Sequence, residues 1–229
     1  MTTKRNYAIA IDGPAGSGKS TMARRVAKDL GFVYVDTGAI YRTVGYHMDF
    51  YGIGPKDTDG ITRLIGDVNI AIEYDADGLQ HMILNGRDVT EEIRTPEMSK
   101  IASVISAQKV VRDYLLDMQR QLARTHNVVM DGRDIGTVVL PGADVKIFLT
   151  ADPAVRARRR FEELTAKGEK VQYEKVLQDL IARDEQDKNR KIAPLRPAKD
   201  AVHLDTTDLD IEQAAAAMES IIKEKLGQQ

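Results

Sequence analysis

The chain has 229 residues, 42% of them apolar, which suffices for one α/β domain with a buried core and a small insert. A formal charge of −2 gives no global basic field for a nucleic-acid partner, and the absence of cysteine excludes disulfides and thiolate metal sites. No apolar run reaches the roughly 18 residues needed to span a bilayer, and Met1 to Asn6 is short, polar and without a signal-peptide core, so a cytoplasmic location is expected.

Tyr7 to Ile11 is a short apolar run before a Gly-rich turn and reads as a buried strand. Ser20 to Leu30 follows as a helix, with Val26, Ala27 and Leu30 inward and Gly31 as its stop. Phe32 to Val35 is a second buried strand, so the order implies a parallel sheet with right-handed crossovers. Residues 58–92 have another texture. Val68, Ile70, Ile72 and Tyr74 alternate with polar or small residues, Asp77-Gly78 and Asn85-Gly86 supply turns, and Leu79 to Leu84 is a strand. That segment reads as an antiparallel insert within a core made of 1–57 and 93–229. Long helices are expected after Pro96, core strands at Val128 to Met130, Val145 to Leu149 and Ala201 to Leu204, and a helix from Tyr173 to Arg190. Asp210 with Gln213 forms a capping-box pattern for the final helix.

Gly13-Pro14-Ala15-Gly16-Ser17-Gly18-Lys19-Ser20, with Thr21 after it, matches the phosphate-binding loop G-x-x-x-x-G-K-[ST]. Glycines let backbone N–H groups converge on one anion, and the following helix adds the positive end of its dipole. Lys19 is the expected contact to the β- and γ-phosphates of ATP, and the Ser20 hydroxyl the expected ligand for Mg²⁺. A guanine-selecting N-K-x-D segment is absent; Asp187-Lys188-Asn189-Arg190 has that composition in another order.

The second strand ends in Asp36-Thr37-Gly38-Ala39-Ile40-Tyr41-Arg42. Ligands of doubly wound sheets bind at the carboxyl ends of strands, which places Thr37 and Arg42 at a second phosphate. Val128 to Asp131 puts a carboxylate at a strand end as in a Walker B element, so Asp131 is expected just behind the metal's ligands, and Asp134 lies in the loop beyond. Arg112 adds to the same side. Val176, Leu180, Arg183, Asp187 and Arg190 recur every three or four residues, an apolar stripe that turns charged as it enters a cavity or moving lid, a solvated helix end being the alternative. Arg156, Arg159 and Arg160 form a basic face suited to neutralising ATP phosphates in the transition state, an ordinary basic surface being the alternative.

Together these segments resemble bacterial cytidylate kinase over nearly the whole chain. The resemblance rests on Ile11-Asp12-Gly13-Pro14, Asp36 to Arg42, Glu92-Ile93-Arg94-Thr95, Asp131 to Val139, Val145 to Leu149, Arg183-Asp184, Asn189-Arg190 and Ala193-Pro194-Leu195. It implies a P-loop nucleoside monophosphate kinase fold: a five-stranded parallel core flanked by helices, a small antiparallel β insert that binds the monophosphate, and a helical lid near residues 153–190. It further implies that Ser103, Arg112 and Asp134 face the cytosine of CMP, Asp187 the sugar, and Arg42, Arg183 and Arg190 the phosphate. Thr37 stands where serine is common, and Ser20 where some relatives carry glycine. The expected activity is transfer of the γ-phosphoryl group of ATP to CMP or dCMP by a monomer with no nucleic-acid or membrane partner. UMP or dTMP as acceptor, or a non-catalytic ATP- or RNA-binding module, are the alternatives.

Overall fold

The computed structural model describes residues 5–227, and the N-terminal segment read above lies outside them through residue 4. In chain order, β1 (Ala8–Asp12) enters the phosphate loop, α1 (Lys19–Leu30) leaves it, and β2 (Val33–Asp36) passes directly into α2 (Thr37–Phe50). Next come α3 (Thr58–Leu64) and the strands β3 (Ile70–Tyr74), β4 (Gln80–Leu84) and β5 (Arg87–Asp88). α4 (Pro96–Ile105) and α5 (Lys109–Thr125) lead to β6 (Val128–Gly132), a π-helical turn at Ile135–Val139, and β7 (Val145–Thr150). The helical pair α6 (Pro153–Ala166) and α7 (Tyr173–Asn189), then β8 (Val202–Asp205) and α8 (Ile211–Leu226), complete the described chain.

Five strands form one parallel sheet in the order β2-β6-β1-β7-β8. Parallel neighbours require crossovers, which the helices supply, so both faces of the sheet are covered and the strands read as continuous apolar runs. Alternate side chains enter opposite layers. Ile9, Ile11 and Val129 pack with Met22, Val26 and Met218 beneath α1 and α8. Ala10, Val128 and Met130 pack with Ile40, Val44 and Leu115 beneath α2 and α5. Each such side chain contributes about 1.5–3 kcal/mol on burial, and this fixes the strand ends from which the site is built.

The insert is a three-stranded antiparallel sheet, one strand more than the sequence pattern indicates. β5 is two exposed residues, Arg87 and Asp88, without an apolar alternation to announce it. The turn before it has positive φ at both Asn85 and Gly86, the geometry of a two-residue hairpin. A second difference concerns Arg190. The expected helix ends at Asn189, and Arg190 is extended, at φ −63° and ψ 140°. That break lets the Arg190 guanidinium turn back onto Asp134.

Candidate active site

The carboxyl ends of β1, β2 and β6 meet above the sheet. β1 ends at Asp12, and the loop turns at once through Gly13, whose φ is +155° and whose missing Cβ would lie 1.9 Å from the Leu149 carbonyl oxygen. No other residue fits there. Gly18 starts α1 in the left-handed region. The first turn of α1 has neither a side-chain cap nor an acidic residue, whereas Asp36, Asp57, Thr95, Asp152 and Asp210 cap α2, α3, α4, α6 and α8. α5 is bare in the same way, so it is the adjoining glycine loop and Lys19 that suit the α1 amides to an external anion.

Lys19 is buried and donates to the Pro14 carbonyl at 2.6 Å and to Ser17 Oγ at 3.3 Å. Burial, reinforced by the positive field of Arg133 and Arg183, pushes its pKa well below the ordinary lysine value. Arg183 lies in the same field: burial first, then Arg133, lowers its pKa to about 10, with Arg42 adding to the effect. Its Nε and that of Arg42 are buried with no hydrogen-bond partner. Two buried guanidinium N–H groups are thus left without an acceptor beside Lys19 and Arg133, an arrangement that suits an external phosphate. Arg42 does hold Asp36, at 2.9 Å, beside the first turn of α2. Thr37 is buried there and donates from Oγ1 to the Asp131 carbonyl at 2.7 Å.

Asp131 lies at the end of β6. Its carboxylate accepts from Ser20 Oγ at 2.9 Å and from the Tyr34 hydroxyl at 3.0 Å. Burial, then repulsion from Asp36, raises its pKa from 3.8 to about 6. A carboxyl group whose folded pKa is raised stabilises the fold least when ionised. Stability is full below the unfolded value of 3.8 and is lost as pH climbs to about 6. The rise corresponds to roughly 3 kcal/mol, from which about 1 kcal/mol is subtracted for an altered hydrogen bond. Asp131→Asn is therefore expected to stabilise the free protein by about 1–2 kcal/mol at pH 8 and, as only the hydrogen-bond cost remains, to destabilise it by up to about 1 kcal/mol at pH 4 and below. Melting curves across that range check the sign; destabilisation at pH 8 contradicts it.

Three ion-pair groups close the site from the other side. Asp134 is buried and accepts from Arg112 and, at 2.9 Å, from Arg190, whose NH1 group also reaches Ser106 Oγ at 3.3 Å. Asp187 accepts from Arg133 Nε at 2.8 Å and from Ser103 Oγ at 3.5 Å, and the neighbouring arginines hold its pKa below the usual carboxylate value despite burial. Asp184 accepts from Arg156 at 2.7 Å and from the backbone N–H of Ala15, inside the phosphate loop, at 3.2 Å. The charged end of the α7 stripe is therefore packed inward rather than solvated. Val176 is half-buried, Leu180 and Asp187 are buried, and Asp184 on the adjoining face grips the phosphate loop.

The structure brings Lys19, Ser20, Asp131, Thr37, Arg42 and Arg183 to one end of the sheet and Ser103, Arg112, Asp134, Asp187 and Arg190 into connected pairs. It does not form the common basic face expected of Arg156, Arg159 and Arg160. Arg156 is buried and occupied by Asp184 and the carbonyls of Ala15 and Ala151. Arg159 donates to the carbonyls of Thr206 and Leu209. Arg160 pairs with Glu163 at the surface. Helical spacing gave their direction, but not their depth or partners. Conversely, Arg133, Asp184 and Asp12 were given no role from sequence. The adjacency of Arg133 to Asp134, and of Asp184 to Arg183, was the available signal for the first two.

Among the described residues no group of three or more His, Cys, Asp or Glu side chains is arranged to hold a metal ion. The Ser20–Asp131 pair offers one hydroxyl and one carboxylate, a donor set that fits a hard cation held mostly by phosphate oxygens and water. No described helix is long and apolar enough to cross a membrane.

Residues 9–224 match the cytidylate kinase family. The cytidylate kinase of Carboxydothermus hydrogenoformans is 52% identical over 217 residues, covering 95% of this chain and 97% of that protein. That of Geobacter sulfurreducens is 47% identical over 222 residues, covering 97% and 95%. Among solved structures, an uncharacterized protein from Eubacterium ventriosum shares the fold with a TM-score of 0.51 at 10% identity, covering 98% of this chain and 100% of its own. Matched by the family model over residues 9–224 and by these relatives along nearly the whole of both chains, the chain belongs to the cytidylate kinase family.

Proposed function

We propose that this protein transfers the γ-phosphoryl group of ATP to CMP or dCMP, giving ADP and CDP or dCDP. The observation that carries the reading is the pairing of an uncapped α1 N-terminus and buried Lys19 with a second, separate set of buried polar and charged groups, Arg112, Asp134, Ser103 and Asp187. The first set suits the phosphates of ATP. The second offers donors and acceptors for a polar base and a sugar.

In this reading the phosphate oxygen of CMP attacks the γ-phosphorus in line, and the bond to the β-phosphate oxygen breaks. The acceptor is already anionic, so no protein base is needed. Lys19 and Arg183 stabilise charge on the transferred group, while Arg42 and Arg190 hold the acceptor phosphate. Ser20, backed by Asp131, would hold Mg²⁺, which neutralises phosphate charge when bound. Arg156, Arg159 and Arg160 reach ATP only if they exchange their present bonds, so the reading does not rest on them. Residues 153–190 act as the lid, and 58–92 as the monophosphate-side insert of the core. Closure over both substrates excludes water and so suppresses ATP hydrolysis.

Arg183→Ala tests the phosphate assignment without loss of a structural pair. A charged hydrogen bond contributes roughly 1.5–3 kcal/mol, so kcat/KM for CMP should fall by about one to two decades. The melting temperature should hold, because Nε of Arg183 has no partner to lose. Unchanged kcat/KM contradicts the assignment. For the reaction itself, phosphorus NMR of ATP incubated with CMP, dCMP, UMP or dTMP identifies the product. CDP and dCDP are expected, and UDP or dTDP as the main product would replace the reading with a kinase for another acceptor.

A further inference from the structure

Asp12 is the last residue of β1 and has no place in the reaction described above. Its side chain is only 4% exposed, and its two carboxylate oxygens accept from the backbone N–H groups of Ile135 and Gly136, each at 2.7 Å. Those amides open the π-helical turn at Ile135–Val139. Asp134 occupies the cap position of that turn, at φ −147° and ψ 27°, yet its side chain makes no capping bond. An aspartate in such a position ordinarily accepts from the second or third free amide itself, here that of Gly136 or Thr137. Here the carboxylate of Asp134 is committed to Arg112 and Arg190 instead.

We propose that Asp12 is a positioning residue that caps the Ile135–Val139 turn in place of Asp134, and so leaves the Asp134 carboxylate free to organise the nucleobase side of the acceptor site. The inference rests on the cytosine-directed reading of Asp134. It makes the first residue before the phosphate loop a determinant of acceptor selectivity. Three further observations support it. The register of the sheet sets Asp12 beside Gly132, so the side chain reaches the exit of the neighbouring strand. A Cβ on Gly136 would approach Asp12 Oδ2 to 3.4 Å and Lys146 to 3.2 Å, so the turn is seated closely against this carboxylate. Both free amides are satisfied by one ionisable group, and such charge-assisted bonds are roughly twice as strong as neutral ones.

Asn at position 12 keeps the shape but turns one acceptor into a donor facing an N–H. One amide loses its partner, and Asp134 is drawn back towards the turn. The Asp12 carboxyl is raised to about 6 by burial, against the lowering effect of the two amides, so a neutral side chain is tolerated there and the variant should fold. Asp134 and Lys19 are the charged groups that face it, with opposite effects.

The experiment measures kcat/KM for CMP and for UMP, and KM for ATP, in wild type and Asp12→Asn. Thermal-shift titrations with CMP and UMP read the same selectivity without turnover. The expected result is a fall of about tenfold in the preference for CMP over UMP, with KM for ATP moving less than about threefold. Loss of equal size for both acceptors, or a change confined to ATP, overturns the proposal and leaves Asp12 as a support of the phosphate loop. A wild type without preference for CMP defeats the cytosine reading itself, an outcome distinct from a selective wild type whose preference survives in Asp12→Asn. In the double variant with Asp134→Asn, the effect of Asp12→Asn on selectivity should vanish, since it acts through Asp134.

Discussion

Lys19→Ala is expected to lower turnover by on the order of 10²–10³ while leaving the protein folded, the usual consequence of removing one preorganised contact to transition-state charge. The fold should survive because Lys19 is a burden on the free protein. Its ammonium is buried, faces Arg133 and Arg183, and is held by a carbonyl and a hydroxyl. A depressed lysine pKa means that the unfolded chain binds the proton more tightly, so stability at neutral pH is reduced by this group and recovers as pH rises towards the ordinary lysine value. The melting temperature of Lys19→Ala should therefore match or exceed that of wild type near pH 7. Turnover within a few fold of wild type would remove the phosphate-loop lysine from the mechanism. A large drop in melting temperature would show that it holds the loop together.

Asp134→Ala should behave in the opposite way, with stability and acceptor use lost together. The carboxylate joins Arg112 on α5 to Arg190 beyond α7, and both guanidinium groups are buried. Removing one partner of a buried pair typically costs 3–5 kcal/mol, because the remaining charges have no counter-ion. For a chain of this size each kcal/mol is about 2–4 °C, so a fall on the order of 10 °C in melting temperature is expected. Assayed below that transition, the variant should show a loss in kcat/KM for CMP of at least 10²-fold and a change of only a few fold in KM for ATP. A site built around paired polar groups discriminates strongly, since each mismatch leaves a buried group unpaired. A wild-type melting temperature would contradict the buried-pair description. Normal use of CMP would contradict the acceptor-site assignment.

The core was legible in the sequence because parallel strands covered on both faces must be apolar throughout. Ile9 to Ile11 and Val128 to Met130 satisfy that requirement, Val145 to Leu149 does so apart from Lys146, and their boundaries shifted by only a residue or two. The phosphate loop was legible because its geometry admits few residues, as the crowding at Gly13 illustrates. β5 was illegible because Arg87 and Asp88 are two exposed, charged residues with no apolar alternation to mark a strand. Asp12 was illegible for a related reason: its partners are backbone amides 123 and 124 residues away, which no side-chain pattern encodes. The arginines of α6 show a third limit. Periodicity places Arg156 and Arg160 four residues apart on one helix, yet the first is buried against Asp184 and the second pairs with Glu163 at the surface. The extent of burial depends on what α7 brings to that face, and α7 is distant in sequence.

The central claim is that the charges around Asp134 form a site for cytosine in particular, beside a phosphate loop for ATP. CMP and UMP differ at one base edge, an amino donor against a carbonyl acceptor, and a carboxylate–arginine cluster distinguishes these at the cost of an unpaired buried group in the wrong complex. The measurement that tests this most directly is kcat/KM of the wild-type protein for CMP and for UMP, with ATP and magnesium saturating. The account predicts a preference for CMP of at least about tenfold, the equivalent of 1.4 kcal/mol in transition-state binding. Equal values for the two acceptors would contradict it.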